Sequence, residues 1–331
     1  MTTKWISVLM GLPLLLALMA CTTTPAPSTQ TSVTPTSQIP PTAPQSAPTN
    51  PSDPPPTTVP PSPTSQEPLA ALVNGQPITI AAYEREIERY SASLAAQGID
   101  PSSQDGQNEL GQARAWILDM MIEQMLTAQA AEQAGVNVTD AQVEEYMQAM
   151  AAESGGEEAF RAKLEAWGET YEDAKREVRT QLIGMAMTER IVADVPESAE
   201  QIHARHILLD TAEEAQNIRA QLEAGADFAA LAKTHSLDQS TRDNGGDLGY
   251  FPRGILVSAE VEDAAFSLQP GQFSDVITSA LGYHVVQVVE RDPNRSISPE
   301  NLQLLRQQAV QEWVEDLWAH ADVQRFVEAA P

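Results

Sequence analysis

The sequence predicts an α+β protein in which helical segments flank a region that forms a small antiparallel sheet. Residues 80–193 carry apolar side chains at helical spacing, and glycines divide this pattern into separate helices. Residues 204–289 instead alternate short strand-like and helix-like segments, and an amphipathic helical segment follows residue 298. Helices and strands that occupy separate stretches of a chain are typical of the α+β class.

Residues 1–21 have the features of an export signal. Lys4 provides a positive start, residues 5–20 are almost wholly apolar, and Leu18-Met19-Ala20-Cys21 ends the run. The apolar run is shorter than the roughly 20 residues that span a bilayer. A single cysteine after Leu-Met-Ala resembles a bacterial lipobox, which implies that Cys21 is lipidated and anchors an extracytoplasmic protein to the membrane. The alternatives are an ordinary secretory signal with an incidental cysteine and a retained anchor helix.

Residues 22–68 are predicted to be a disordered linker. They contain 15 of the 24 prolines of the chain, together with many serines and threonines. Such a segment buries too little apolar surface to offset the entropy of ordering, and its prolines favour an extended chain. The segment is therefore interpreted as a spacer.

The remaining residues, 69–331, are strongly acidic. The chain has 46 acidic and 19 basic side chains and a net charge of −27, and only Lys4, Asp53 and Glu67 of these charges lie before residue 69. Nucleic acids bind to basic surfaces, so nucleic acid is excluded as a direct partner. Because Cys21 is the only cysteine, an intramolecular disulfide is excluded as well.

Residues 69–198 are predicted to form a helical domain that begins with a tight turn at Asn74-Gly75. A loop is expected over residues 98–106. The predicted helices cover residues 80–96 and 108–134, a segment from the Thr139 capping box to Gly155, a short segment ending at Gly168, and residues 171–193.

Residues 199–293 are predicted to form the sheet domain, in the order β-α-α-β-α-β. Strands are expected over 204–209, 248–251 and 284–289, with helices after the caps Thr211 and Asp227 and over residues 259–268. In residues 294–331, Ser298-Pro299 opens a helix that is expected to reach about residue 329. The apolar stripe of that helix requires a partner surface and consists of Leu302, Leu305, Ala309, Trp313, Leu317 and Trp318.

The segment 203–290 resembles the parvulin-type (PpiC or rotamase) peptidyl-prolyl isomerases. The resemblance implies rotation about X-Pro bonds of other proteins without a cofactor. The residues that carry it occur in family order and are His206-Ile207-Leu208-Leu209, His235-Ser236, Asp238, Gly245-Gly246-Asp247-Leu248-Gly249-Tyr250-Phe251, Phe266-Ser267-Leu268, Pro270-Gly271 and Gly282-Tyr283-His284-Val285-Val286.

The resemblance implies that His206, Asp238 and His284 form the catalytic site. Alternate strand residues share a face, so both histidines are expected on one apolar face, bonded to each other or to nearby hydroxyls. A satisfied core pair and a solvated loop aspartate are the alternatives. No metal site is expected, because His203 and His206 point to opposite faces. The proline cup implied by the resemblance is lined by Leu248, Phe251, Leu256, Val261 and Phe266.

The chain departs from the isomerase pattern after Arg253-Gly254. These isomerases usually carry a Met and then a Phe that cups the proline, whereas here Val261 occupies the Phe position. Leu281 stands where some members have Ser. The missing aromatic wall supports a second hypothesis, a membrane-tethered holdase whose parvulin domain binds peptides with little or no isomerase activity.

The helical region resembles the N-terminal domain of SurA-like and PrsA-like foldases. This implies that the C-terminal helix packs on the N-terminal helices, so that the isomerase domain is inserted into a chaperone domain. The implied partners are unfolded or partly folded exported proteins with X-Pro bonds. The methionine-rich stripe of residues 116–126 is interpreted as core, with a client groove as the alternative. The motifs are Leu72-Val73-Asn74-Gly75-Gln76-Pro77-Ile78, Met121-Ile122-Glu123-Gln124-Met125-Leu126 and Ala134-Gly135-Val136-Asn137-Val138-Thr139.

Overall fold

The structure is a computed structural model that describes residues 67–327. The predicted export signal, the lipidation site Cys21 and almost all of the predicted linker lie outside these residues. Strands β1 (Leu69–Val73) and β2 (Gln76–Thr79) form an antiparallel hairpin. Its turn lies at Asn74 and Gly75, which both adopt positive φ angles, and this confirms the predicted tight turn.

Five helices follow the hairpin, and a serine or threonine side chain caps the N-terminus of four of them. Two of the predicted ranges agree with the structure at both ends. In each case a threonine caps the start of the helix, and Gly98 or Pro196 follows its end closely. The predicted capping box at Thr139 is present. The helices are α1 (Ile80–Ala96), α2 (Gln104–Gln133), α3 (Asp140–Glu153), α4 (Glu157–Ala166) and α5 (Tyr171–Ala193).

The predicted loop over residues 98–106 is wrong at its end, because α2 begins four residues earlier than predicted. Ser103 caps α2 by accepting a hydrogen bond from the amide of Gly106 at 3.1 Å. The first turn of α2 then packs against the backbone of Asp100 and Pro101, so closely that a Cβ atom at Gly106 would lie 2.7 Å from the Cα of Pro101. Gly106 was interpreted as a loop residue, but here it permits a close backbone contact.

The sheet domain contains four antiparallel strands in the order β4-β3-β6-β5. The two central strands are longer than predicted, and β5 was not predicted. The elements are β3 (Ser198–Leu209), α6 (Ala212–Glu223), α7 (Phe228–His235), β4 (Asp247–Phe251), α8 (Ala259–Ser267), β5 (Ile277–Ser279) and β6 (Gly282–Ser296).

Each face of this sheet packs against its own helices. Ile207, Leu209 and Val285 lie on one face and pack against α6 and α7. The alternate residues of these strands point to the other face of the sheet and pack against α8. This second cluster consists of Ile202, Ala204, Phe251, Val261, Ala265, Phe266, Val286 and Val288. The alternation of buried faces therefore determines which side chains meet α8.

The predicted C-terminal helix is wrong at its end. Helix α9 (Pro299–His320) stops nine residues before the predicted residue 329, and β7 (Val323–Arg325) follows it. Strand β7 pairs with β1, and Arg325 lies 2.7 Å from the carboxylate of Asp119 on α2. These long-range contacts replace helical hydrogen bonds that residues 321–325 would otherwise make.

Helix α9 packs on α2 and α5, so the helical domain is discontinuous and the sheet domain is inserted into it. Leu317 and Trp318 of the predicted stripe pack against the core of α1 and α2. Met121 and Met125 of the methionine-rich stripe pack against the same core, in agreement with the core interpretation.

Within residues 67–327, no helix combines the length and the apolar character needed to cross a membrane.

We predict that Gly106→Ala lowers the free energy of unfolding by about 1–3 kcal/mol, because the new Cβ would collide with the Asp100–Pro101 backbone. Gly111→Ala is the matched control, since it lies in the same helix and a Cβ there has no neighbour within 4 Å. We expect that variant to be unchanged or stabilised by up to about 1 kcal/mol. Urea unfolding of both variants checks this, and equal effects would contradict it.

Candidate active site

His206 and His284 lie side by side on the sheet face that α8 covers. In the register of β3 and β6, His206 pairs with Val286 and His284 pairs with Leu208. The two histidines are therefore diagonal neighbours on one face, which brings long side chains into contact. Their rings stack with centroids 5.7 Å apart and an interplanar angle of 20°. This confirms the predicted common face, although the rings do not bond to each other.

The carboxylate of Asp238 lies against His206. His206 Nε2 donates to Asp238 Oδ2 at 2.7 Å, and the hydroxyl of Thr241 donates to the same oxygen at 2.5 Å. Ser240 donates to Oδ1 through its hydroxyl and its amide. Burial alone would raise the pKa of Asp238, but these hydrogen bonds outweigh it and hold the pKa well below its ordinary value. Asp238 is therefore ionised at neutral pH.

The loop that carries Asp238 is closed against β3 by Gly246. The amide of His206 donates to the carbonyl of Gly246 at 2.8 Å, and Gly246 has a φ of +79°. A side chain at this position would also collide with the carbonyl of His206. Both constraints favour glycine, so the Gly245-Gly246 pair fixes the loop next to the histidine.

His284 is buried, with 1% of its surface exposed, and it bonds to Ser279 rather than to a carboxylate. Ser279 Oγ lies 2.7 Å from His284 Nε2 and also accepts from the amide of Leu281 at 3.0 Å. Burial and the neighbouring His206 ring lower the pKa of His284 to about 4. His284 is consequently neutral at physiological pH.

The implied proline cup adjoins this cluster, and its members differ in accessibility. Leu248 and Leu256 are partly buried and pack at the edge of the α8 cluster. Phe251, Val261 and Phe266 are each at most 8% exposed. The first two side chains retain exposed surface, whereas the other three form a buried layer in the same cluster. The presence of Val261 in that layer leaves Phe251 and Phe266 as its aromatic rings, 6.1 Å apart.

Sequence reasoning missed four residues that position this site. Ser240 and Thr241 follow Asp238 directly, and short polar residues two and three positions after an aspartate are a local turn signal. Ser279 is close to His284 only because β5 and β6 form a hairpin. Glu262 is a buried carboxylate that accepts hydrogen bonds from the amides of the loop before α8. Only the first two residues have a signal that sequence reasoning can detect.

His203 has different partners from His206. Its Nε2 lies 2.7 Å from Asp247 Oδ1, and its ring contacts Tyr250. His203 and Asp247, together with Arg205, Asn244 and Gly245, line a small polar cavity of about 150 Å³. Among residues 67–327 no cluster of three histidine, cysteine or acidic side chains has the geometry of a metal site.

Two family models match separate parts of the chain. The model described as a PPIC-type PPIASE domain matches residues 189–292, and the model described as a SurA-like N-terminal domain matches residues 61–165. The first match spans His206, Asp238 and His284. The second covers the hairpin of β1 and β2 and the first helices, as the sequence motifs predicted.

The name foldase protein PrsA recurs among the similar proteins. The chain is 34% identical over 238 residues to the foldase protein PrsA of Caldanaerobacter subterraneus subsp. tengcongensis, and the match covers 66% of this chain and 72% of that protein. It is 38% identical to the foldase protein PrsA 2 of Bacillus cereus, covering 40% of this chain and 47% of that one. A crystal structure of peptidylprolyl isomerase (PrsA) from Bacillus anthracis is 28% identical, covers 61% of this chain and 94% of that chain, and has a TM-score of 0.41.

We predict that the buried, neutral state of His284 makes the fold less stable in mild acid. The unfolded chain binds a proton at this ring near pH 6.5, whereas the folded chain binds it only near pH 4. The stabilisation is therefore complete above pH 6.5 and is lost as the pH falls from 6.5 to 4, by about 1–3 kcal/mol. Urea unfolding at pH 7.5 and pH 4.5 measures the loss, which we expect to be smaller in His284→Gln.

A direct readout keeps this prediction testable even where His284→Gln is poorly folded. NMR titration of the His284 ring in the unaltered chain should give a midpoint near pH 4. A midpoint near pH 6.5, or an identical loss of stability in the variant and the unaltered chain, would contradict it.

Proposed function

The chain belongs to the PrsA family of foldases and carries a parvulin-type peptidyl-prolyl isomerase domain, and we propose that it isomerises X-Pro bonds at the sheet face that holds His206, Asp238 and His284. The observation that carries the choice of site is the stacking of His206 on His284 beside an apolar layer, with His206 bonded to the ionised Asp238. The proposed substrates are unfolded or partly folded exported proteins.

The reaction needs no covalent step, only preferential binding of a twisted amide. Rotation about a peptide bond has a barrier of about 18–20 kcal/mol, because the planar amide has partial double-bond character. The planar form places more negative charge on the carbonyl oxygen than the twisted form does. The negative carboxylate of Asp238 near that oxygen would therefore destabilise the planar form more than the twisted form, which lowers the barrier.

The apolar residues would hold the proline ring during this rotation. Leu248 and Leu256 are the accessible members of the cup, and the buried layer of Phe251, Val261 and Phe266 supports them. An apolar surface fixes the ring while the preceding residue rotates. His206 would keep Asp238 in place through its hydrogen bond, and Ser279 would fix the ring of His284 against His206.

A second candidate function is that of a holdase that binds peptides without efficient isomerisation. The observation that favours it is Val261, which occupies the position of a cupping phenylalanine and is only 3% exposed. Exposed apolar side chains of the helical domain, including Trp116, Trp167 and Met185, are compatible with binding unfolded segments. Suppression of client aggregation without acceleration of prolyl exchange would support this candidate.

We further propose that the protein is exported and anchored through a lipid on Cys21. This rests on the apolar run and the Leu18-Met19-Ala20-Cys21 sequence, and on the linker that would separate the folded part from the membrane. A single acyl chain binds a bilayer only marginally, so a stable anchor requires at least two chains on the cysteine.

We predict that Asp238→Ala lowers prolyl isomerase activity by roughly tenfold or more, which corresponds to about 1.4 kcal/mol or more of transition-state stabilisation. Removal of the carboxylate eliminates the charge proposed to destabilise the planar amide. NMR exchange spectroscopy of a short X-Pro peptide measures the exchange rate. Asp243→Ala is the matched control, since Asp243 lies in the same loop, is 84% exposed and, among residues 67–327, forms an ion pair only with its neighbour Arg242.

The unaltered chain must accelerate exchange, and Asp243→Ala must retain that acceleration. Equal activity of Asp238→Ala and the unaltered chain would remove Asp238 from the proposed site. Absence of acceleration over a panel of residues before proline would contradict the isomerase function and leave the holdase.

We predict that Cys21→Ser releases the mature protein from the membrane fraction, because the hydroxyl does not accept the lipid that the thiol accepts. Fractionation of cells and metabolic labelling with a fatty acid check this. A control substitution at Thr22 should leave the protein labelled and in the membrane fraction. Membrane association of the Cys21→Ser variant without label would contradict the anchor.

A further inference from the structure

The loop of residues 253–257, called the pocket loop here, connects β4 to α8 at the edge of the proposed proline cup. It carries Leu256, which packs on the α8 cluster, and Val257, whose side chain is 93% exposed. The position of the pocket loop therefore determines whether one wall of the cup is formed. The loop has no regular secondary structure, so other contacts must hold it.

Glu262 holds the pocket loop from within the isomerase domain. Its carboxylate accepts hydrogen bonds from the amides of Gly254 at 3.0 Å, Ile255 at 3.1 Å and Leu256 at 3.2 Å. Glu262 is only 8% exposed. Three consecutive amides directed at one carboxylate fix the local backbone, because each would otherwise lack a buried partner.

Helix α9 of the helical domain holds the same loop from the other side. Gln308 Nε2 donates to the carbonyl of Gly254 at 2.7 Å. A Cβ atom at Gly254 would lie 3.2 Å from Leu305 Cδ2 and 3.3 Å from Gln308 Oε1, so α9 and the loop backbone are in close contact. Gly254 thus bonds to Glu262 through its amide and to Gln308 through its carbonyl.

The junction between the two domains is ordered where the chain crosses it. The amide of Ile297, just before α9, donates to the carbonyl of Glu197 at 2.9 Å. Gln201 is 2% exposed, and its side chain donates to the carbonyls of Arg295 and Ser296 at 3.0 Å. An ordered junction keeps α9 in register with the pocket loop.

We propose that α9 positions the pocket loop through Gln308 and Leu305, so that binding of the proline-containing segment by the isomerase domain depends on the helical domain. The inference rests on the proposed isomerase site. Gln308 and Leu305 are positioning residues, because they reach the substrate only through the loop. The contact assigns α9 a second task besides completing the core of the helical domain.

The test is Gln308→Ala in the full chain, with Gln311→Ala as the matched control. Gln311 lies in the same helix, and its side chain donates to Glu315 one turn further on. A blocked peptide with one Leu-Pro bond is titrated by NMR, which gives both the dissociation constant and the exchange rate at saturation. We expect Gln308→Ala to weaken binding about two- to tenfold.

The exchange rate at saturation should remain unchanged in Gln308→Ala, because the loop contacts the proline in the planar and the twisted states alike. The amides of Gly254, Ile255 and Leu256 should shift in this variant and not in Gln311→Ala. Leu305→Ala should act in the same direction as Gln308→Ala.

Unchanged binding in both Gln308→Ala and Leu305→Ala would overturn the inference, as would equal weakening in Gln311→Ala. If the full chain binds the peptide but does not accelerate its exchange, the proposed function fails. The comparison of dissociation constants then still supports or overturns the role of α9.

Discussion

The pairing of β3 with β6 is the interaction on which the rest of the structure depends. The two strands run side by side from Ser198 and Ser296 to Leu209 and Tyr283. Their register brings His206 and His284 together on one face, and a slip of one residue would turn one of them towards α6 and α7. The same pairing also brings together the two points at which the chain passes between the helical domain and the sheet domain. One antiparallel ladder thus sets both the geometry of the site and the place where the sheet domain leaves the helical domain.

Burial and hydrogen bonding hold the two parts of the site in different charge states. Asp238 remains ionised because Ser240, Thr241 and His206 donate to it, whereas His284 remains neutral because it is buried beside another imidazole. The cluster therefore presents a fixed negative charge at its open side and an uncharged ring beneath. This is the arrangement that the proposed electrostatic effect on an amide carbonyl requires.

Features determined by neighbouring residues could be predicted from the sequence, and features determined by distant residues could not. The predicted bounds of α1 and α5 agree with the structure, in which Thr79 and Thr170 cap these helices locally. The common face of His206 and His284 followed from strand alternation. By contrast, β7 forms because it pairs with β1 some 250 positions earlier in the chain. Glu262 was missed for the same reason, since its role depends on the path of a loop rather than on spacing along α8.

The inserted sheet domain adds little loop-closure entropy to the folding of the helical domain, because the two ends of the sheet domain are adjacent to each other. The amide of Asn74 donates to the carbonyl of Asp322, and the amide of Asp322 donates to the side-chain Oδ1 of Asn74. The first and last segments of the helical domain therefore meet despite the insertion. A disordered segment between α5 and α9 would add loop-closure entropy to that contact. The pairing of Ser198 with Ser296 instead closes the insertion at its base. The helical domain can therefore complete its core with α9, and the orientation of α9 that results is the one in which Gln308 meets the pocket loop.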